Sequence, residues 1–329
     1  MVAIIILNWN GHDDTIACLE SLYKMSYKDF FIILGDNGSK DNSLGIFAKW
    51  CNDNNRRFSQ CQLGDIPPTD VKQGDIILYD LKENHGFARG NNLMIKFISL
   101  LAPHYFFLLN NDTEVTLDFM QKLVDFADKH SQYSMLTPQI RYFFNQTHVW
   151  NCGGNIKLGM RKYHYGNRPY TEITEKEIIN CSFVTGCALL FKKEVLNDVN
   201  ELFTEKYFFG EEDFELSLRL KKEGKKMACY IPSVIYHKVG SSTRKTGSLK
   251  RSYVHYLNRF INVRHYYSNL GFVCWELCYL PYVFMVVVRK GNSIRDVMKF
   301  VNRLHKECRL YDGVNKQYFE QIMSPNFEI

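Results

Sequence analysis

The sequence predicts an α/β fold: a single Rossmann-like, doubly wound sheet followed by a helical C-terminal region. Three observations predict it. Apolar, β-branched runs recur at residues 2–7, 30–36, 75–81 and 105–110. Segments with helical spacing lie between them, and strands joined by helices form a parallel sheet with right-handed crossovers. Finally, Asn, Asp and Gly collect just after each apolar run. That is the edge where an open sheet of this kind binds ligands.

VAIIIL (2–7) reads as a strand buried on both faces. Residues 13–25 place Ile16, Leu19, Leu22 and Tyr23 on one side of a helix. FFIILGD (30–36) is a second buried strand, and SKDNSLGIFAKW opens with helix-start residues and continues as a helix. Residues 56–74 lack periodicity and are expected to be a loop insertion. DIILYDL (75–81) is a third strand, a helix from about Phe87 to Leu101 follows, and YFFLLN (105–110) is the fourth strand. Beyond Asp112 the pattern becomes a helix near 116–130, aromatic-rich strands to about 190, a helix near 212–224 and short strands near 227–236. The expected division is a ligand-binding half at 1–112, a second half at 113–248 and a helical region at 249–329.

The chain has 329 residues, 46% of them hydrophobic, enough to bury a large core. A charged fraction of 23% argues against general disorder. Lys238 to Arg309 holds fourteen Lys/Arg against Glu276, Asp296 and Glu307, so this part calls for an anionic partner or a reason to tolerate its own repulsion. No feature points to nucleic acid. Cys18, Cys181, Cys187, Cys229, Cys274 and Cys278 lie in apolar stretches and read as small buried hydrophobes. No paired CxxC motifs signal zinc. The chain opens directly on a strand, and a reducing cytoplasm is the expected setting.

The four strand ends read NWNG (8–11), DNGSKDNS (36–43), ENHGFARGNN (83–92) and NNDTE (110–114). Each alone could be an ordinary turn; four on one ligand-binding edge are harder to assign to turns. Asp36 can accept a hydrogen bond from a base or ribose, and Trp9 is either a stacking face for a base or a plain core aromatic. Gly86 and Gly90 would let backbone approach a ligand. The helix start at Phe87, with Arg89 beside it, can meet phosphate. Asp112, closing a buried strand, is the main candidate for Mg²⁺ or Mn²⁺ on a diphosphate. FFGEEDFELSLRLKKEG (208–224) runs aromatics into acids. Acids also suit a solvated helix start, but carboxylates beside apolar walls have raised pKa values and can act as bases. His237 after its strand reads as structural alone and as a metal ligand beside Asp112.

Jointly, VAIIILNWNG, GDNGSKDNS, ENHGFARGNN, FFLLNNDTEV and FVTGCALLFKKEVL…FFGEEDFELSLRL…YHKVGSS resemble glycosyltransferase family 2, in particular its bacterial rhamnosyltransferase-like branch, over about residues 2–265. The resemblance implies a GT-A type fold, a divalent metal (Mn²⁺ or Mg²⁺) and inversion by single displacement. Asn110-Asn111-Asp112 takes the place of the DxD motif with its first acid replaced by Asn. By position, Asp112 and His237 would bind metal, and Asp213, paired with Glu212, would be the general base. Glu211 and Glu215 would support it. Asn8, Trp9, Asn10, Asp36, Asn84, Gly86, Arg89, Asn91, Asn111 and Asp112 would hold the nucleotide sugar, and Gly186 would border the acceptor. The implied activity is hexosyl transfer from a dTDP- or UDP-sugar, with rhamnose the leading sugar, to a glycan acceptor, lipid-linked, in surface polysaccharide assembly. The rivals are a sugar nucleotidyltransferase, disfavoured by NWNGHDD after strand one, and a non-catalytic glycan-binding module.

Residues 272–288, FVCWELCYLPYVFMVVV, are almost wholly apolar, interrupted by Glu276 and Pro281. A bilayer span needs about 20 residues. Basic flanks and interfacial aromatics favour in-plane attachment at the inner face of the cell membrane instead. Burial in a core or a homodimer is the bland alternative.

Overall fold

The computed structural model describes residues 1–197, 201–239 and 248–329. Its strands and helices run β1 (Val2–Asn8), α1 (His12–Lys24), β2 (Phe30–Asp36), α2 (Ser43–Asp53), β3 (Phe58–Gln62), β4 (Ile76–Asp80), α3 (Gly86–Ile98), β5 (Tyr105–Asn110), β6 (Thr113–Val115) and α4 (Phe119–Lys129). They continue with β7 (Tyr133–Tyr142), β8 (Val149–Asn151), β9 (Gly154–Lys157), β10 (Met160–Tyr163), β11 (Ile178–Cys181), β12 (Ala188–Phe191), α5 (Glu212–Lys222) and β13 (Lys226–His237). Four helices end the chain: α6 (Ser248–Tyr266), α7 (Asn269–Arg289), α8 (Ile294–Leu310) and α9 (Lys316–Met323).

The central sheet has the order β11-β13-β7-β12-β5-β1-β2-β4-β3. Its first half is parallel: β1 lies between β2 and β5, and β2 pairs with β4. β1, β2 and β4 are continuous apolar runs because helices cover both faces, and two separate cores form, one on each side. The sheet turns mixed at β12, which is antiparallel to both β5 and β7, so a continuous layer joins the two halves.

Two elements differ from the sequence reading. Residues 58–62, expected in a loop, form β3, a parallel edge strand on β4. Its sequence FSQCQ is polar and half-exposed, which suits an edge and hides the strand from an apolar-run criterion. The short strands expected near 227–236 are one twelve-residue strand, broken in register between Tyr230 and Val234 around Pro232, which has no N–H to give.

The C-terminal helices enclose a third core. Tyr253, Phe260, Trp275, Tyr279, Phe300 and Leu304 pack there with Ile156, Phe183, Tyr207 and Phe214 from the preceding chain. Cys274 and Cys278 are exposed on α7 instead of buried, because the inward face of that helix is taken by Phe272, Trp275, Glu276 and Tyr279. All ten cysteines are free.

Candidate active site

The ends of β1, β2 and β5 meet around Asn8. Its buried amide donates to the Asp36 carboxylate (2.9 Å) and to Ser39 Oγ (3.1 Å). Its carbonyl oxygen accepts from Thr15 Oγ1 (3.0 Å), and Asn111 Nδ2 donates to the same hydroxyl (3.0 Å). Asp36 also takes the Ser39 amide (3.0 Å), so the turn after β2 is built on this carboxylate. Asn10, in the left-handed conformation that Asn tolerates, accepts from the Lys40 amide (2.7 Å). Trp9, 51% exposed, stands free beside it, so it is no core aromatic.

Asn84 accepts from the Gly86 amide (2.8 Å) and from Asn37 Nδ2 (3.2 Å). Asn37, which sequence reasoning passed over, is buried and also takes the His85 amide (2.9 Å), tying β2 to the start of α3. Gly86 has φ +78°, and a Cβ there would come within 2.1 Å of the Phe208 carbonyl. The Phe87 amide donates to that same carbonyl (3.3 Å). The glycine and the helix start therefore serve the segment before α5, where the sequence suggested ligand contact. Gly90 likewise lets α3 lie on Leu7. Arg89 is 56% exposed and faces Glu205 at 3.7 Å. Asn91 is buried and bonds back to Phe87 O.

Asp112 and His237 come together from opposite ends of the second half. β13 pairs with β6, and His237 Nε2 lies 3.0 Å from Asp112 Oδ1, with the edge of Trp150 against the imidazole. Burial lowers the His237 pKa, but Cys187 and Asp112 outweigh it and bring it to about 10. Burial also raises the Cys187 thiol, so the charge that matters is on Asp112. Among the described residues no group of three or more His, Cys, Asp or Glu could hold a metal. An Asp–His pair is an oxygen and nitrogen donor set that fits a divalent cation, and Asp112 and His237 would hold one there.

The acids at the start of α5 are held by Arg161, which the sequence reading did not single out, and by Arg259, which it counted among the basic flanks of the apolar run but which is buried here. Glu211, with φ +75°, is buried between Arg259 and Arg161. Burial opposes its ionisation, yet the two guanidiniums hold its carboxyl well below the usual range. Arg161 from β10 also reaches Asp213 Oδ1 at 3.4 Å. Burial raises the Asp213 pKa, and Arg161 moderates the rise. Burial and the neighbouring Asp213 push Glu212 up to about 8, and its Oε2 has no hydrogen-bond partner among the described residues. Glu215 accepts from the Tyr266 hydroxyl and supports α5 from behind. The Gly186 amide faces Asp213, while the next carbonyl, Cys187 O, takes the Asn110 amide (2.8 Å). One short segment thus ties the α5 acids to the strand that leads to Asp112.

Residues 3–199 match the glycosyl transferase family 2 domain. The chain belongs to that family. It is a glycosyltransferase, which sets aside the nucleotidyltransferase and binding-module readings. It is 21% identical over 271 residues to the low-salt glycan biosynthesis hexosyltransferase Agl10 of Haloferax volcanii, spanning 82% of this chain and 77% of that one. Its fold is of the GT-A type. Mannosyltransferase PcManGT of Pyrobaculum calidifontis, solved with GDP-Man and Mn²⁺, aligns with a TM-score of 0.56 at 12% identity, over 98% of this transferase and 85% of that chain. GalNAc-T7, solved with UDP, GalNAc and Mn²⁺, also gives 0.56, at 13% identity over 98% and 56%. TarS 1-349 of S. aureus gives 0.51 at 13% identity over 84% and 68%. The family's final motif extends into Gly240, Ser241 and Ser242, which lie outside the described residues.

Proposed function

We propose that this transferase moves a hexosyl group, rhamnose first among candidates, from a pyrimidine nucleoside diphosphate sugar to a lipid-linked glycan. It would invert the anomeric carbon in one displacement, in bacterial surface polysaccharide assembly at the cytoplasmic face of the membrane. The observation that carries this reading is the union, through Gly186–Cys187, of a partly buried acid of raised pKa with the strand that delivers Asp112. Asp213 would take the acceptor hydroxyl proton as that oxygen attacks. A more basic carboxylate is a better base for that step provided it remains ionised, and Arg161 favours the ionised form. Trp9 would stack on the base, and the Asn8–Asp36–Ser39 turn would hold base or ribose. Asn10, Asn84, Arg89, Asn91 and Asn111 complete the donor side as the family resemblance implies. Asp112 and His237 would hold Mn²⁺ or Mg²⁺, which supplies charge neutralisation for the leaving diphosphate when bound. Mn²⁺ in two structural neighbours and the hexosyltransferase name of a relative support both points.

A panel of dTDP-, UDP- and GDP-sugars, assayed with and without Mn²⁺ or Mg²⁺, tests this. Pyrimidine donors are expected to turn over fastest, product NMR should show inverted configuration, and Asp112→Ala and EDTA should each abolish transfer while the melting curve persists. Preference for GDP-sugars, a retained anomer, or full turnover after metal stripping would each remove the corresponding part of the reading.

A further inference from the structure

α7 is apolar on both of its faces. Its inner face, Phe272, Trp275, Tyr279 and Val283, packs into the C-terminal core. A helix docked that way in a water-soluble protein carries polar residues outward. Here the outward row is Leu270, Val273, Leu277, Tyr282 and Met285, with Leu270 75% and Leu277 71% exposed. Glu276, the one acid in the helix, is turned inward and paired with Arg309 and His305, leaving the outer row uncharged up to Arg289.

The apolar surface does not stop at the helix. Trp275 Nε1 donates to Leu158 O (2.8 Å) and the Tyr267 hydroxyl accepts from the Gly159 amide (2.7 Å), pinning the tip of the β9–β10 hairpin to α7. Gly159 can carry no Cβ there, since one would fall 2.6 Å from the Trp275 indole. Leu158 and Met160 at that tip are exposed. Cations border the surface at both ends, Lys157 and Lys162 on the hairpin and Arg289, Lys290 and Arg295 at the turn into α8.

We infer that the outward row of α7 and the tip of the β9–β10 hairpin form one lipid-facing surface that lies flat on an anionic bilayer. The helix is long and apolar enough to cross a membrane, yet a third of it is buried in the protein, and its inner side is committed to the C-terminal core. Lying in the plane satisfies both faces at once: core on one side, acyl chains on the other, cations at headgroup level. The hairpin adds a functional consequence. Arg161, the residue after exposed Met160, is the one that reaches Asp213. The docked surface therefore borders the acid cluster, where an acceptor carried by a lipid in the same bilayer would arrive. This consequence rests on the proposed role of Asp213; the docking itself does not.

The test is vesicle flotation of the full chain at low salt. Phosphatidylglycerol/phosphatidylcholine vesicles are compared with pure phosphatidylcholine, and the oligomeric state is measured in parallel by light scattering. Leu277→Asp and Leu158→Asp change exposed positions, and Asp tolerates the positive φ of Leu158. Unchanged melting curves and unchanged hydrolysis of a nucleotide sugar would show that both variants remain folded and competent. The expected result is strong binding to anionic vesicles, at least tenfold weaker binding in each variant, and weaker binding to neutral vesicles. Three outcomes would overturn the inference: no binding by the intact chain, equal binding by the folded variants, or a dimer that both variants dissociate with no vesicle binding. Loss of activity on every donor with vesicle binding intact would instead fault the catalytic reading alone.

Discussion

Asp213, Glu212 and Arg161 form a coupled set in which each substitution has a different expected signature. Asp213→Asn keeps the shape and removes the proposed base, so kcat should fall by ~10²–10⁴-fold with donor affinity nearly intact. A loss below about threefold, with chemistry rate-limiting, would mean that another group is the base. Glu212 offers a stability readout that is independent of turnover. Its folded pKa of about 8 lies above the ordinary 4.5 of a glutamate, so the folded state holds a proton that the unfolded chain releases between those pH values. That linkage removes stability as pH rises through the window. Glu212→Gln mimics the protonated acid and escapes this loss. Its melting temperature relative to the parent should therefore climb from about pH 5 to about pH 8. A gap that stays flat across that range would show that Glu212 is not buried as an acid.

The helix start at Gly86 shows how an element can mislead sequence reading in a useful way. ENHGFARGNN follows a strand, opens a helix and contains two glycines, all true of a phosphate-binding turn. In the fold the glycines admit protein instead: Gly86 receives the Phe208 carbonyl and Gly90 receives Leu7. Asn92, three residues beyond Arg89, clamps the Leu202 and Phe203 amides at 3.0 Å each. α3 is thus a platform for the segment that carries the acids. Gly86→Ala should destabilise by about 1–3 kcal/mol in denaturant unfolding, from left-handed strain alone, with backbone displacement at Phe208 adding to it. An unchanged midpoint would mean that the segment relaxes freely. The parallel half was legible because buried strands are continuous apolar runs, and Asp112 with His237 was legible from strand-end position plus family pattern. Arg161 and Arg259 were not, since their partners lie 50 and 48 residues away on Glu211, and no local pattern connects a hairpin, a helix start and α6.

At the level of the whole molecule, the C-terminal helices hold the acids at the start of α5, and this governs how the chain can be divided. Arg259 on α6 pairs with Glu211 while its guanidinium lies 3.8 Å from the Phe214 ring centre. Asn258 donates to Gly210 O (2.9 Å), and Asn262 links Glu211 O (3.2 Å) to the Tyr207 hydroxyl (2.6 Å). Removing residues 249–329 would take Arg259, Asn258 and Asn262 away from Glu211, Gly210 and Tyr207, a loss set against the roughly 5–15 kcal/mol that stabilises a domain. Exposure of Phe183, Tyr207 and Phe214 adds to that loss. A chain ending at Ser248 should therefore lack a cooperative thermal transition and should neither bind nor hydrolyse a nucleotide sugar. The milder change Arg259→Met keeps the packing stem on Phe214 and removes the charge. It should lower the melting temperature and raise the Glu211 pKa, so that its stability deficit shrinks as pH falls and Glu211 takes up a proton. If the truncated chain melts cooperatively near the parent temperature and binds donor equally well, residues 249–329 are an independent appendage after all, and the acids at α5 are positioned by residues 1–248 alone.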